Sequence, residues 1–168
     1  LWNMGGAPTL IIVNVLCLLA TFILLLNVSS KWGGKLSQGF ALLISGHLIF
    51  LNVDVTPQTM MMLFIALFVY LLSTLKKPVI MFGMLIPLQI LWTNPHVSFR
   101  FGPLIAVLAA MQAAQNAKGA GRKKQQEIPA RTLGLLAAAL LVATMINPYF
   151  NQLHGQVFAN IKMPLPVY

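Results

Sequence analysis

Apolar runs of membrane length alternate with short polar links along this chain. Pro8 to Val28 is the first run, close to the roughly 20 residues that cross a hydrocarbon layer. Leu36 to Val53 follows, shorter and more polar, and then Pro57 to Leu75, rich in Met and Phe. Val79 to Trp92, Phe101 to Ala114 and Thr132 to Asn147 complete the series. The pattern predicts an all-α, polytopic integral membrane protein of about six transmembrane helices, at 8–28, 36–53, 57–75, 79–92, 101–114 and 132–147. One membrane domain covers residues 1–168, with a polar loop at 115–131 and a tail at 148–168.

Local signals refine the spans. Pro8 and Pro57 suit first turns, where the missing N–H costs nothing. Pro87 is expected to break or kink the fourth span, because it removes one hydrogen bond and crowds the preceding turn. Gly39 and Gly46 offer room for a neighbouring helix, and Asn14 a side chain for helix–helix hydrogen bonding. The Met60-Met61-Met62 cluster reads as packing material. No basic segment precedes the first run, which therefore does not read as a signal peptide.

Composition agrees. Only 8% of the residues are charged and 58% are hydrophobic, with a mean hydropathy of +0.83. A soluble domain carries about 25% charged residues. The net charge of +9 does not point to nucleic acid, since the basic residues sit in links between spans, where they set orientation. Nine of the eleven, Lys31, Lys35, Lys76, Lys77, Lys118, Arg122, Lys123, Lys124 and Arg131, fall in alternate links. Arg100 and Lys162 fall on the opposite side. The asymmetry places residues 115–131 in the cytoplasm and both termini outside. Arg122-Lys123-Lys124 also suits contact with anionic membrane lipids.

The outer face then collects most of the polar groups with chemical potential. Trp92-Thr93-Asn94-Pro95-His96-Val97-Ser98-Phe99-Arg100 is the densest cluster. His96 is a candidate acid or base. It could equally bind phosphate together with Arg100, or the pair could be an interfacial His and a snorkelling Arg. Asp54 is a second catalytic candidate, as a general base or a divalent-cation ligand, or else a helix cap before Pro57. His47 reads as a hydrogen-bonded core residue, and His154 is uninformative. The single cysteine, Cys17, reads as packing. No metal-ligand spacing, glycine-rich phosphate loop or Ser-His-Asp order is present, so no metal or other cofactor is expected.

Three links carry a resemblance. Thr56-Pro57-Gln58, Trp92-Thr93-Asn94-Pro95-His96-Val97 and Asn147-Pro148-Tyr149-Phe150 occur in the order of an Arg-Pro-Gln span start, a Trp-x-Asn-x-His-Gly link and an Asn-Pro-Tyr-Gly span end. Over most of residues 5–155 the chain resembles the central membrane region of bacterial GT-C-type glycosyltransferases related to protein mannosyltransferases. The resemblance implies a bacterial inner-membrane location and a polyprenyl-phosphate-sugar partner held at the outer face. It puts Gln58, Asn94, His96 and Arg100 at the donor phosphate, with Asp54 nearby. The motif arginine is Thr56 here, and two glycines are Val97 and Phe150. The acidic residue that such enzymes carry in their first outer loop lies upstream of this sequence. These departures imply a chain incomplete or inactive on its own. The alternative is a non-catalytic accessory subunit of a larger membrane protein complex. On the charge pattern, cysteines placed at Gln126 and Ser98 are expected to react with impermeant reagents from opposite sides of the membrane; labelling from the same side would overturn the topology.

Overall fold

A computed structural model describes residues 2–32, 39, 43, 46, 57–94, 97–119, 128–148 and 155. Five α-helices and one short 3₁₀ helix form among them, and no strand. The helices are α1 (Trp2–Trp32), α2 (Pro57–Thr74), α3 (Pro78–Thr93), α4 (Phe101–Gly119) and α5 (Ala130–Ala143); the 3₁₀ turn is Val97–Arg100. Gly39, Leu43 and Gly46, within the expected second span, are also helical. The chain divides into two compact units, Leu1–Met81 and Phe82–Tyr168.

Within the first unit α1 packs along α2. Their C-terminal ends lie together. The Lys31 ammonium donates to the Thr74 hydroxyl at 2.8 Å and stands 5.3 Å from the centre of the Tyr70 ring. The two helices therefore run in the same direction. Pro57 opens α2 at the other end of its 18 residues, about 27 Å away at 1.5 Å per residue. Leu18, Ala66, Phe68 and Leu71 are buried, and so are the polar Asn14 and Thr21.

α1 is longer than the first apolar run at both ends. The expected first span ends at Val28, before Ser29 and Ser30. Instead their hydroxyls donate to the Leu26 and Asn27 carbonyls, and the Asn27 amide donates to the Ile23 carbonyl. Such back-bonding satisfies short polar side chains inside a helix, so the helix continues to Trp32. At the other end the helix starts at Trp2, which puts Pro8 in its interior. Gly6 accommodates this with φ of 62°, a left-handed conformation open to glycine at little cost. α3 likewise runs unbroken through Pro87. Pro87 is exposed, so its ring lies away from the packed face. The close approach expected at Gly39 and Gly46 is not seen, since a Cβ at either would meet nothing within 4 Å.

One helix is long and apolar enough to cross a membrane, over Pro8–Lys31, and only 17% of its apolar window is buried. Gln58–Thr74, Pro78–Thr93 and Ala130–Ala143 are apolar but shorter. In the second unit α4 packs against α5. The buried positions of α5, Leu133, Leu136, Ala137, Leu140 and Ala143, recur at the three-and-four spacing of one helix face. Gly102, Pro103 and Ala106 are the buried positions of α4.

The shared end of α1 and α2 is open to a direct check. With Cys17 replaced by Ala, cysteines at positions 31 and 74 are expected to join through a short bifunctional thiol reagent. Cysteines at 31 and 58 are expected to stay separate. A crosslink in the second pair would mean that the helices run antiparallel.

Candidate functional site: the turn between α3 and α4

The turn between α3 and α4 is held from the α3 side by Gln89, Trp92 and Thr93. Gln89 is fully buried, and its Nε2 donates to the Phe99 carbonyl at 2.9 Å. The same nitrogen lies 3.5 Å from the Thr93 hydroxyl, at the limit of a hydrogen bond. Thr93 in turn donates to the Gln89 carbonyl at 2.8 Å. The buried indole of Trp92 donates to the Ser98 hydroxyl at 3.1 Å. Asn94 donates its amide to the Ile90 carbonyl at 2.8 Å and so closes the last turn of α3. Side chains of α3 thus reach both residues that precede Arg100.

Of the described polar side chains of the turn, Trp92, Thr93 and Ser98 are directed inward, while Asn94 and Arg100 are exposed. Trp92, Thr93, Ser98 and Phe99 are buried, and Arg100 is exposed at the end of the 3₁₀ turn, where α4 begins. Burying a hydroxyl or an amide without a partner costs about 1–3 kcal/mol, so these bonds are what let the turn fold inward. One atom stands outside the scheme. Gln89 Oε1 is buried with no hydrogen-bond partner.

The expected site residues fall out unevenly. Asn94 and Arg100 are both exposed and belong to the same unit. Asn94 has one amide N–H engaged on its own helix, and its amide carries a second N–H and a carbonyl oxygen. Gln58 is exposed in the first turn of α2, in the other unit. Asp54, His96, His47, Tyr149 and all but Gly155 of the tail from 149 lie outside the described residues. Asn147 and Pro148 of the third motif lie in the turn that follows α5. Thr144 donates to the Leu141 carbonyl at 2.6 Å, and Asn147 donates to the Thr144 carbonyl at 2.7 Å. This asparagine closes the turn beyond the helix. Cys17 is half-buried, and its carbonyl accepts from Thr21 at 2.8 Å.

Gln89 is the residue that sequence reasoning missed. The available signal was an amide in the middle of an apolar run, four residues before Thr93 and thus on the same helix face. Ser98 was expected to be an accessible reporter. Its burial makes exposed Asn94 the better labelling position on this turn.

Among the described residues no group of three or more His, Cys, Asp or Glu could hold a metal ion. Comparison with known protein families, with characterised proteins and with solved structures returns no match.

The two bonds across the turn make a stability prediction. Trp92→Phe and Gln89→Met are each expected to lower stability in detergent by about 1 kcal/mol, the net worth of one hydrogen bond. The double variant is expected to show coupling of at least about 0.5 kcal/mol, because both bonds hold the same turn. Unfolding midpoints equal to the parent's would remove the turn's bonds as its organising feature.

Proposed function

We propose that this chain is a multi-pass protein of the bacterial inner membrane, related to GT-C-type glycosyltransferases, and that its outer face binds a polyprenyl-phosphate-sugar without completing transfer on its own. In this reading six helices span the bilayer, the loop at 115–131 is cytoplasmic and both termini are outside. Several observations support that architecture. α1 and α2 run in the same direction, as the first and third spans of an alternating series do. Large apolar side chains are exposed on every described helix, among them Ile12 on α1, Met60 on α2, Val79 on α3, Leu108 on α4 and Val142 on α5. A water-facing surface rarely carries so many, whereas a lipid-facing one requires them.

The observation that carries the functional reading is the braced turn before Arg100. In the family resemblance this link meets the donor phosphate. Here two hydrogen bonds from α3 hold it, and its guanidinium is exposed at the start of α4. A guanidinium suits phosphate oxygens, because its fork donates two parallel hydrogen bonds. Asn94, on the same turn, offers a neighbouring polar group, and His96 lies between them in sequence. The family resemblance also assigns Gln58 to the donor phosphate, with Asp54 as a catalytic candidate. Lost catalysis follows from the departures at Thr56, Val97 and Phe150.

Binding of a polyprenyl phosphate to the purified full chain tests this. Arg100→Ala is expected to weaken it about tenfold or more, the effect of losing a charge-assisted hydrogen bond of about 1.5–3 kcal/mol. Lys162→Ala removes equal charge from the same face in the charge pattern and is expected to change little. Equal losses would reduce the effect to surface charge. No binding at all would favour an accessory subunit that tethers a larger membrane complex, with the turn as its rigid connector.

A further inference from the structure

Three cations gather at the end that α1 and α2 share. Lys31 lies in the last turn of α1, and Lys76 and Lys77 follow α2 two and three residues beyond Thr74. Their Cα atoms are therefore within about 11 Å of that of Thr74, whose hydroxyl accepts from the Lys31 ammonium at 2.8 Å. All three lysines are exposed, and the described residues include no Asp or Glu to neutralise them. An ammonium has three N–H donors. Lys31 spends one on Thr74, and the Tyr70 face 5.3 Å away helps to hold the charge in place. Its position is thus set while donors remain for an outside acceptor. The link that carries the other two is short and anchored. The Leu75 N–H donates to the Leu71 carbonyl at 2.8 Å and the Met81 N–H to the Lys77 carbonyl at 3.1 Å, and Pro78 fixes its own φ between them. Beside the cations stand exposed apolar side chains, Val79 and Ile80 at 84% and 46% and Ile23 on α1 at 48%. Every one of these residues belongs to the first compact unit.

We propose that Lys31, Lys76 and Lys77 form a head-group site for an anionic phospholipid of the surrounding bilayer. The proposal rests on the membrane placement given above and is independent of the polyprenyl-phosphate reading, since these lysines fall on the cytoplasmic side of that topology and Arg100 on the other. Charge complementarity selects an anion, because three uncompensated cations share one end of the unit. The adjoining side chains select a lipid. A free phosphate would leave Val79, Ile80 and Ile23 in water, whereas a phospholipid covers them with its acyl chains while its phosphate meets the ammoniums. The leaflet on the cytoplasmic side is also the one rich in anionic lipid. The contact of Lys31 with Thr74 and Tyr70 separates this site from a solvated row of lysines. An ammonium ordered before the lipid arrives gives up less freedom on binding.

Native mass spectrometry of the full chain in detergent tests the site, with phosphatidylglycerol and phosphatidylcholine of matched acyl chains as probes. One phosphatidylglycerol is expected to remain bound under conditions that strip phosphatidylcholine, and excess inorganic phosphate is not expected to displace it. Lys31→Gln and Lys77→Gln are each expected to weaken that binding about fivefold, the equivalent of about 1 kcal/mol. Lys77 is an exposed link residue, so its variant reads the site even where Lys31→Gln loosens α1 from α2. Thr74→Val keeps every charge and is expected to weaken binding about threefold, because Lys31 is then ordered only when the lipid arrives. The double variant Lys123→Gln/Lys124→Gln removes more charge from the same side and is expected to change little, as is Arg100→Ala. Equal retention of the two lipids would overturn the site. So would a loss in the Lys123/Lys124 variant as large as that in Lys31→Gln, which would mean diffuse surface charge, or no effect of Thr74→Val, which would mean that Lys31 is not held for the ligand. Displacement by inorganic phosphate would assign the cations to a free anion. Loss of binding in Arg100→Ala alone would place the lipid at the turn before α4 and overturn the site at the α1–α2 end, whereas failure of polyprenyl phosphate to bind the parent would count against the earlier reading only.

Discussion

In a chain with so few charges, the decisive constraint is where each polar group finds its hydrogen bond. The turn between α3 and α4 meets that constraint with its own residues. Gln89 reaches the Phe99 carbonyl and Trp92 reaches the Ser98 hydroxyl, and both bonds are buried. They draw the start of α4 back against the end of α3. Each bond of this kind in an apolar interior offsets a desolvation cost of about 1–3 kcal/mol, a sizeable share of a domain's net stability. With them in place, Arg100 is left at the surface.

The same rule shapes the rest of the described chain on a smaller scale. Thr21, Asn27, Ser29, Ser30 and Ser73 each donate to a carbonyl three or four residues back. A helix that absorbs its own polar residues can stay continuous where a reading by polarity would end it, as α1 does beyond Val28. Lys31 is treated differently. Its stem runs along the surface of α2, and its ammonium finds Thr74 and the face of Tyr70. That contact sets the direction of α2 relative to α1. It lies at the polar end of both helices, where a lysine can keep access to water.

These features bear on function by way of rigidity. A phosphate-binding group is useful when its position is set before the ligand arrives, because ordering it during binding would subtract from affinity. Arg100 is exposed, but the backbone that carries it is tied from both preceding residues. The proposed glycosyltransferase relative and the alternative, a non-catalytic accessory subunit, could both use an Arg100 held in this way.

Much of the architecture was legible in sequence because apolar runs and polar links report directly on what each segment can bury. Helices at 57–74, 78–93 and 101–119 begin within a residue of the positions that Pro57, Lys77-Pro78 and Arg100 mark. Helix ends were less legible. Serine and asparagine at the end of α1 are turn formers in isolation, and only their bonds to the preceding carbonyls reveal a helix. Pro87 looked like a break, yet an exposed proline costs its helix one hydrogen bond and need not interrupt it. In the site, Trp92, Asn94, Ser98 and Arg100 stood out as polar or aromatic groups crowded into one link. Their roles could not be read from that crowding. Asn94 turned out to close its own helix, Ser98 to be buried, and Gln89, outside the link, to hold it together. Sequence by itself marked the described helices, apart from their ends, and the side chains that are expensive to bury. Tertiary structure decided which of those side chains are paid for by internal bonds and which are left facing outward, because a hydrogen bond depends on distances between residues that the linear order does not set.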